Sequence, residues 1–194
     1  MHMFKYLMIS CLALLYARAG AQTTGEFLET SRYTVTDIDE DTRSAYWKAF
    51  SSGKQPETML VYLKDENGKV LHDLKITDLE SYSESSVTVS NGQSLSNVAE
   101  VIHLRTDYDV CCSNIYSTYF LKTKDGALIK LPKTEYLHCD GPTPITEYRF
   151  PNQKFGIKDH ILLVKSYLND QYEVDSVEVL KSYQWNGKSV VADH

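Results

Sequence analysis

The clearest fold signal in this chain is the stretch IYSTYFLKTKDGALIKL, residues 115–131. Two runs rich in apolar residues flank Lys124-Asp125-Gly126. Glycine readily adopts the left-handed conformation that closes a three-residue hairpin loop, so this spacing predicts that Thr123 pairs with Ala127. In that register, residues that face each other across the hairpin have numbers that sum to 250.

Continued to the strand ends, this register also predicts how the cysteines pair. It places Cys111 opposite Cys139 and keeps the apolar side chains of both strands on one face. A two-residue loop would shift the sum to 251, pair Cys112 with Cys139 and mix the two faces. We therefore expect a Cys111–Cys139 disulfide and a buried free thiol at Cys112. A bulge at Pro132 would exchange the two partners.

Further turn signals are spread along the chain, and they predict the fold class. Each signal is an asparagine followed by glycine or aspartate, a pair that favours the tight turns that join antiparallel strands. The chain is therefore expected to be mostly β, an antiparallel β-sandwich or a partly open barrel with one short N-terminal helix. The turn pairs are Asn67-Gly68, Asn91-Gly92, Asn186-Gly187 and, more weakly, Asn169-Asp170. The strands expected after the helix span residues 59–63, 70–76, 87–89, 98–104, 115–123, 128–131 and 161–168, then 172–180 and 183–191 as two strands or one.

The hairpin at Asn67-Gly68 has a register that its apolar pattern predicts. A two-residue loop there pairs Met59 with Ile76 and Val61 with Leu74. This register collects the apolar side chains on one face, as a sheet with one buried side requires.

One helix is expected near the start of the chain. Asp37, followed three positions later by Glu40, resembles a capping box at a helix start. Tyr46 and Phe50 share a helical face because they are four residues apart. Gly53 is the residue type that commonly ends a helix.

Two segments are expected to be irregular, the serine-rich residues 81–96 and the proline-containing residues 141–156. Long ordered loops often carry function, so the second segment is the first place to expect a site. The candidate residues near that loop are His138, Asp140, Glu147 and Tyr148.

Residues 1–21 have the pattern of a secretory signal peptide. Lys5 supplies a positive start, residues 6–17 form an apolar run, and Ala19-Gly20-Ala21 is a small-residue cleavage site. The run is shorter than the roughly 20 residues that a membrane span needs. We expect a secreted or periplasmic protein with no stable membrane insertion after cleavage, in which residues 22–194 form a single β-rich domain. The alternative is lipoprotein processing at Cys11.

Charge limits the classes of partner. The leader carries Lys5 and Arg18 and no acid, so its removal takes the net charge from −6 to −8. A surface this acidic argues against binding to nucleic acid or to an anionic membrane and is compatible with a basic protein partner. The fourteen tyrosines are expected to line sheet faces, or to form an exposed aromatic contact surface.

The sequence contains no recognised catalytic motif and predicts no cofactor and no metal site. A nucleophile elbow, a phosphate-binding loop and a dinucleotide fingerprint are all missing. The acids Asp37, Asp39 and Asp41 have the spacing of a calcium loop. However, Thr42 and Lys48 occupy the positions where that loop needs glycine and glutamate.

The resulting functional expectation is a non-enzymatic binding module, such as an inhibitor or an immunity-type protein that blocks a partner protein. One alternative is an envelope hydrolase or a carbohydrate-active protein with a site near residues 141–156. Another is a structural envelope component that associates through an exposed strand edge. A concave pocket with converging carboxylates near that loop would favour the enzyme, whereas an acidic-aromatic surface would favour the binder.

Overall fold

A computed structural model describes residues 26–54, 58–109, 111–139 and 143–192 of the chain. The expected signal peptide, its cleavage site and Asp140 lie outside these described residues.

The described chain is mostly β and its strands pair antiparallel throughout, which confirms the predicted fold class. The single described helix is α1, Glu40–Ser51. The strands are β1 (Leu28–Glu29), β2 (Tyr33–Thr36), β3 (Met59–Asp65), β4 (Val70–Ile76), β5 (Tyr82–Asn91), β6 (Val98–Asp109), β7 (Ser113–Thr123), β8 (Leu128–Lys130), β9 (Thr134–His138), β10 (Ile145–Arg149), β11 (His160–Leu168), β12 (Val174–Trp185) and β13 (Val190–Ala192).

The strands of the described residues form three sheets. A six-stranded sheet has the order β1-β5-β6-β7-β8, with β9 also paired to β7. A four-stranded sheet has the order β10-β11-β12-β13, and a three-stranded sheet has the order β2-β3-β4.

The six-stranded sheet is the central layer, because alternate residues of β6 belong to different cores. Val101 packs in a cluster with Phe150 and Ile161 of the four-stranded side. Its neighbour Ile102 packs in a second cluster with Leu63 of the three-stranded sheet. Successive side chains of a strand point to opposite faces, so a strand that is buried on both sides supplies both cores.

The β7–β8 hairpin has the predicted register. Leu121 faces Ile129, and the Thr123 amide donates to the Ala127 carbonyl at 2.9 Å. Gly126 has φ 89°, the left-handed conformation that the three-residue loop requires.

The β3–β4 hairpin pairs Met59 with Ile76 and Val61 with Leu74, as predicted. Its turn differs from the prediction. The Asp65 amide donates to the Lys69 carbonyl at 3.0 Å, which closes a three-residue loop, and a register shift after Leu63 compensates for the extra residue.

The helix prediction is right in position but wrong about the cap. Asp39, rather than Asp37, caps α1, and its carboxylate accepts a hydrogen bond from the Thr42 amide at 2.8 Å. The ring of Tyr46 stacks on that of Phe50, with centroids 6.4 Å apart. No residue of α1 is buried, so the helix lies on the surface of the β layers.

Both segments expected to be irregular contain strands. β5 occupies most of residues 81–96 and pairs along its length with β6, so the serine-rich segment is not a loose connection. β10 lies within residues 141–156 and pairs with β11. β12 is one continuous strand, because a bulge at Leu180 absorbs the expected bend.

Candidate functional site

The disulfide joins Cys112 to Cys139, so the predicted Cys111–Cys139 bond is wrong. β9 pairs with β7 one residue out of step with β8, and Ser113 faces His138. Proline has no amide hydrogen to donate to a ladder, so strand pairing stops around Pro132 and resumes in the shifted register. Cys111 carries the free thiol, and it is exposed rather than buried.

A cleft of about 580 Å³ lies against this disulfide. It is bounded by the end of β9, the chain entering β10, and the turn between β11 and β12. Its wall includes His138, Cys139, Pro144, Tyr167, Asp170 and Tyr172. The disulfide fixes one wall of the cleft to the central sheet.

The β11–β12 turn forms the opposite wall and is held by Asn169. The Asn169 amide donates to the Glu173 carbonyl at 2.8 Å, and the Tyr172 amide donates to the Asn169 carbonyl at 3.0 Å. The Asn169 side-chain oxygen accepts from the amides of Gln171 and Glu173 at 3.0 and 2.9 Å. These four hydrogen bonds join residues within the turn, so they fix its conformation without contacts across the cleft.

Tyr172 stands out on this turn. Its φ is 60°, in the left-handed region that costs a non-glycine residue about 1–2 kcal/mol. Its side chain is 86 % exposed, so no packing of the described residues compensates for that cost.

Tyr167 is the second aromatic residue of the cleft. Its hydroxyl donates to the Glu178 carboxylate of the neighbouring strand at 3.2 Å. This hydrogen bond, together with slight desolvation and the charge of Glu178, raises the pKa of Tyr167. The phenol therefore stays protonated at neutral pH and the ring is tethered beside the cleft.

The residues that the sequence proposed for this region do not converge. His138 is exposed on the cleft. Glu147 lies on β10 but does not line the cleft, and it accepts hydrogen bonds from Ser166, at 2.5 Å, and from Arg149. Tyr148 is buried and donates to the Pro132 carbonyl at 3.1 Å. Because neighbouring residues on a strand point to opposite faces, Glu147 and Tyr148 cannot serve one site.

Sequence reasoning missed the aromatic residues that form the cleft, Tyr167 and Tyr172. The weak turn signal at Asn169-Asp170 marked the correct position. The exposed and strained conformation of Tyr172 becomes visible only when the turn is built.

A buried carboxylate was also missed. Glu100 on β6 forms an ion pair with Lys122 at 3.0 Å and accepts a hydrogen bond from the Tyr33 hydroxyl. Burial opposes its ionisation, but these hydrogen bonds and the charges of Lys122 and Arg32 outweigh burial and hold the pKa of Glu100 below its ordinary value. This cluster fastens β2 to the central sheet, which is a structural role.

His103 has the most strongly shifted histidine pKa of the described chain. Its ring stacks on Tyr119 at 4.3 Å, and Phe27 contacts it edge-on. Burial, with a smaller effect of the Arg105 charge, lowers the pKa of His103 to about 4. The imidazole is therefore neutral at pH 7. It contacts the Ser117 hydroxyl at 2.9 Å.

Within the described ranges, no three His, Cys, Asp or Glu residues lie close enough together to hold a metal ion. None of the described helical segments is long and apolar enough to cross a membrane.

A comparison of the chain with protein-family models, with curated proteins and with solved structures finds no match.

Proposed function

We propose that this protein is an exported binding module that recognises a partner protein through the cleft beside the disulfide. The observation that carries this proposal is Tyr172, a large aromatic side chain held in solvent by a strained turn at the rim of the cleft. Strained residues tend to persist at functional positions, and tyrosine is among the residue types that dominate binding energy at protein interfaces.

The composition of the cleft supports binding over hydrolysis. Asp170 is the one carboxylate that the described residues contribute to its wall. Of the two acids that the sequence proposed there, Glu147 is held by Arg149 and Ser166 instead, and Asp140 lies outside the described residues. A two-carboxylate mechanism needs a second acid facing the first. The described residues offer aromatic rings and hydrogen-bonding groups but no such pair.

Rigidity supports the proposal as well. The Cys112–Cys139 bond fixes one wall, and the side chain of Asn169 fixes the turn that carries the other. A surface that is ordered before binding loses less conformational entropy on association. The disulfide is also compatible with the secreted or periplasmic location that the leader predicts.

The proposal is tested by affinity capture from an extracellular or periplasmic extract, with cleft variants as the decisive arm. The unaltered protein should retain one stoichiometric partner. Tyr172→Ala and Tyr167→Ala should each weaken the purified complex about tenfold or more, as loss of an interface tyrosine does.

The matched control is Phe50→Ala, because Phe50 is an aromatic residue of α1 that is 54 % exposed and does not line the cleft. This variant should bind the partner with unchanged affinity. A complex that survives the Tyr167→Ala/Tyr172→Ala double substitution would overturn the proposal.

A further inference from the structure

A second, smaller cleft of about 290 Å³ opens between the three-stranded sheet and the central sheet. It is separate from the cleft beside the disulfide, and the two share no lining residue among those that the structure describes. Its walls come from the end of β4 and the residues that follow, and from one face of β6 and β7.

Where the cleft begins, the side chains on the facing sides of β6 and β7 change from apolar to hydroxyl-bearing. On β6, buried Leu104 is followed on the same face by Thr106 and Tyr108. On β7, Phe120 is preceded on the same face by Thr118 and Tyr116. The gap between two packed sheets is normally filled by interdigitating side chains. Here the apolar contact gives way to hydroxyl groups around an open space.

Two of the hydroxyl groups at this cleft belong to buried threonines. Thr106 and Thr118 are both about 95 % buried, and the Thr106 hydroxyl accepts a hydrogen bond from Ser85 at 3.2 Å. A polar cavity of this size has to be filled by water or by a ligand that offers hydrogen bonds.

Two lysines give the cleft a positive charge in an acidic protein. Among the described residues, no carboxylate oxygen lies within 4.0 Å of the Lys75 or the Lys133 nitrogen, so neither lysine forms an ion pair with them. The Lys133 ammonium sits 3.9 Å from the ring centre of Tyr116, which holds it at the cleft. Asp78 is the one described acid of the lining, and its carboxylate accepts hydrogen bonds from Ser81.

The two tyrosines of this cleft are uncharged, and the Tyr116 hydroxyl is already bonded to Glu135 and accepts a hydrogen bond from Asn114 at 3.0 Å. The rings of Tyr108 and Tyr116 meet edge to face, with centroids 5.5 Å apart. Burial, with the proximity of Tyr116 and Asp78, raises the pKa of Tyr108, and burial together with Glu135 raises the pKa of Tyr116. Both phenols are therefore protonated and uncharged at neutral pH.

We propose that this cleft binds a monosaccharide-sized, hydroxylated ligand that carries one anionic group. The anionic group lies between Lys75 and Lys133, and the ligand hydroxyls bond to the hydroxyls of Thr106, Thr118 and Tyr108. The volume of the cleft is at the lower end of the range for small-molecule sites, which limits the ligand to about one sugar ring.

The test is a titration of the protein without residues 1–21, monitored by the NMR chemical shifts of its amides and by calorimetry. The probes are glucuronic acid and glucose 6-phosphate, with glucose as the neutral probe and inorganic phosphate as the anion without hydroxyl-bearing carbon atoms. At least one anionic sugar should bind about tenfold more tightly than both glucose and phosphate, and the shifts should centre on Thr106 and Thr118.

The variants Lys75→Met and Lys133→Met should each lower that affinity about tenfold. Both lysines are exposed, so these changes leave the core intact. The matched control is Lys64→Met, because Lys64 also lies over a tyrosine ring, that of Tyr62, but does not line the cleft. The proposal would be overturned if glucose or inorganic phosphate bound as tightly as the anionic sugars. It would also be overturned if Lys64→Met lowered the affinity as much as Lys75→Met and Lys133→Met do.

Discussion

Cys112 is bonded to Cys139 in a register one residue out of step with the hairpin that leads into it. In that hairpin, Leu121 faces Ile129, and an unbroken ladder would have brought Cys111 to Cys139. The ladder breaks near Pro132, and the shift at that point decides which of two adjacent cysteines forms the bond.

Removing the disulfide is expected to destabilise the fold. Cys112→Ser should lower the free energy of unfolding by about 3 to 4 kcal/mol, because a bond across 27 residues restricts the unfolded chain. Denaturant unfolding under non-reducing conditions measures this. Cys111→Ser is the matched control and should leave stability unchanged, since Cys111 is exposed and unbonded. Peptide mapping that recovers Cys111 linked to Cys139 would contradict the shifted register.

Tyr172→Gly should separate stability from binding. Glycine adopts the left-handed conformation at this position without strain, which offsets its greater freedom in the unfolded chain. We expect the midpoint of thermal unfolding to stay the same or to rise, while the affinity for the partner falls. Tyr172→Ala keeps the strain and loses the same contacts. A clear fall in the unfolding midpoint of Tyr172→Gly would mean that the tyrosine ring supports the fold.

Stability is expected to fall on acidification because of His103. Its folded-state pKa of about 4 lies below the ordinary value of 6.5, so between these pH values the unfolded state binds a proton that the folded state does not. The contribution of this pKa difference to the free energy of unfolding is complete above pH 6.5. It is lost as the pH falls towards 4, which lowers the free energy of unfolding by up to about 3 kcal/mol.

The measurement is urea unfolding of the unaltered protein and of His103→Gln at several pH values in this window. The stability difference between the two should shrink as the pH falls. NMR should show no titration of the His103 ring between pH 5 and 8. A normal histidine titration in the folded protein would contradict the pKa assigned to His103.

Gly92 lies in the connection between β5 and β6, which the structure holds tightly. A Cβ atom at this position would lie 2.2 Å from the backbone oxygen of Val98, which cannot move aside as a flexible side chain does. Gly92→Ala should therefore destabilise the protein by about 1–3 kcal/mol. Ser94→Ala, at an exposed position of the same connection, should change stability by less than about 0.5 kcal/mol. Equal effects of the two changes would contradict the close approach.

Turn chemistry and apolar alternation predicted the hairpins well because both act over a few residues. The pairs Met59–Ile76 and Leu121–Ile129 follow from that local pattern. The same reasoning missed β10 and the length of β5. β10 is short and follows a proline-containing stretch, and β5 is rich in serine. These strands form because they pair with β11 and β6, which is a tertiary effect.

The candidate site was predicted in part. The loop near His138 does border a cleft, but Glu147 and Tyr148 do not line it, and their side chains bond to Ser166 and to the Pro132 carbonyl. Spacing along a strand tells which residues share a face, yet it does not tell which neighbouring element that face meets. The pairing of Tyr167 and Tyr172 at one cleft depends on how the β11–β12 turn approaches the end of β9.

The amino-acid sequence alone determined the antiparallel class, the position of the helix and the register of two hairpins, because backbone turn preferences and side-chain alternation are local. Tertiary structure decided which cysteine pairs with Cys139, which face of each sheet is covered, and where the two clefts open. Those outcomes depend on contacts between segments far apart in the chain, whose energies no short stretch of sequence contains.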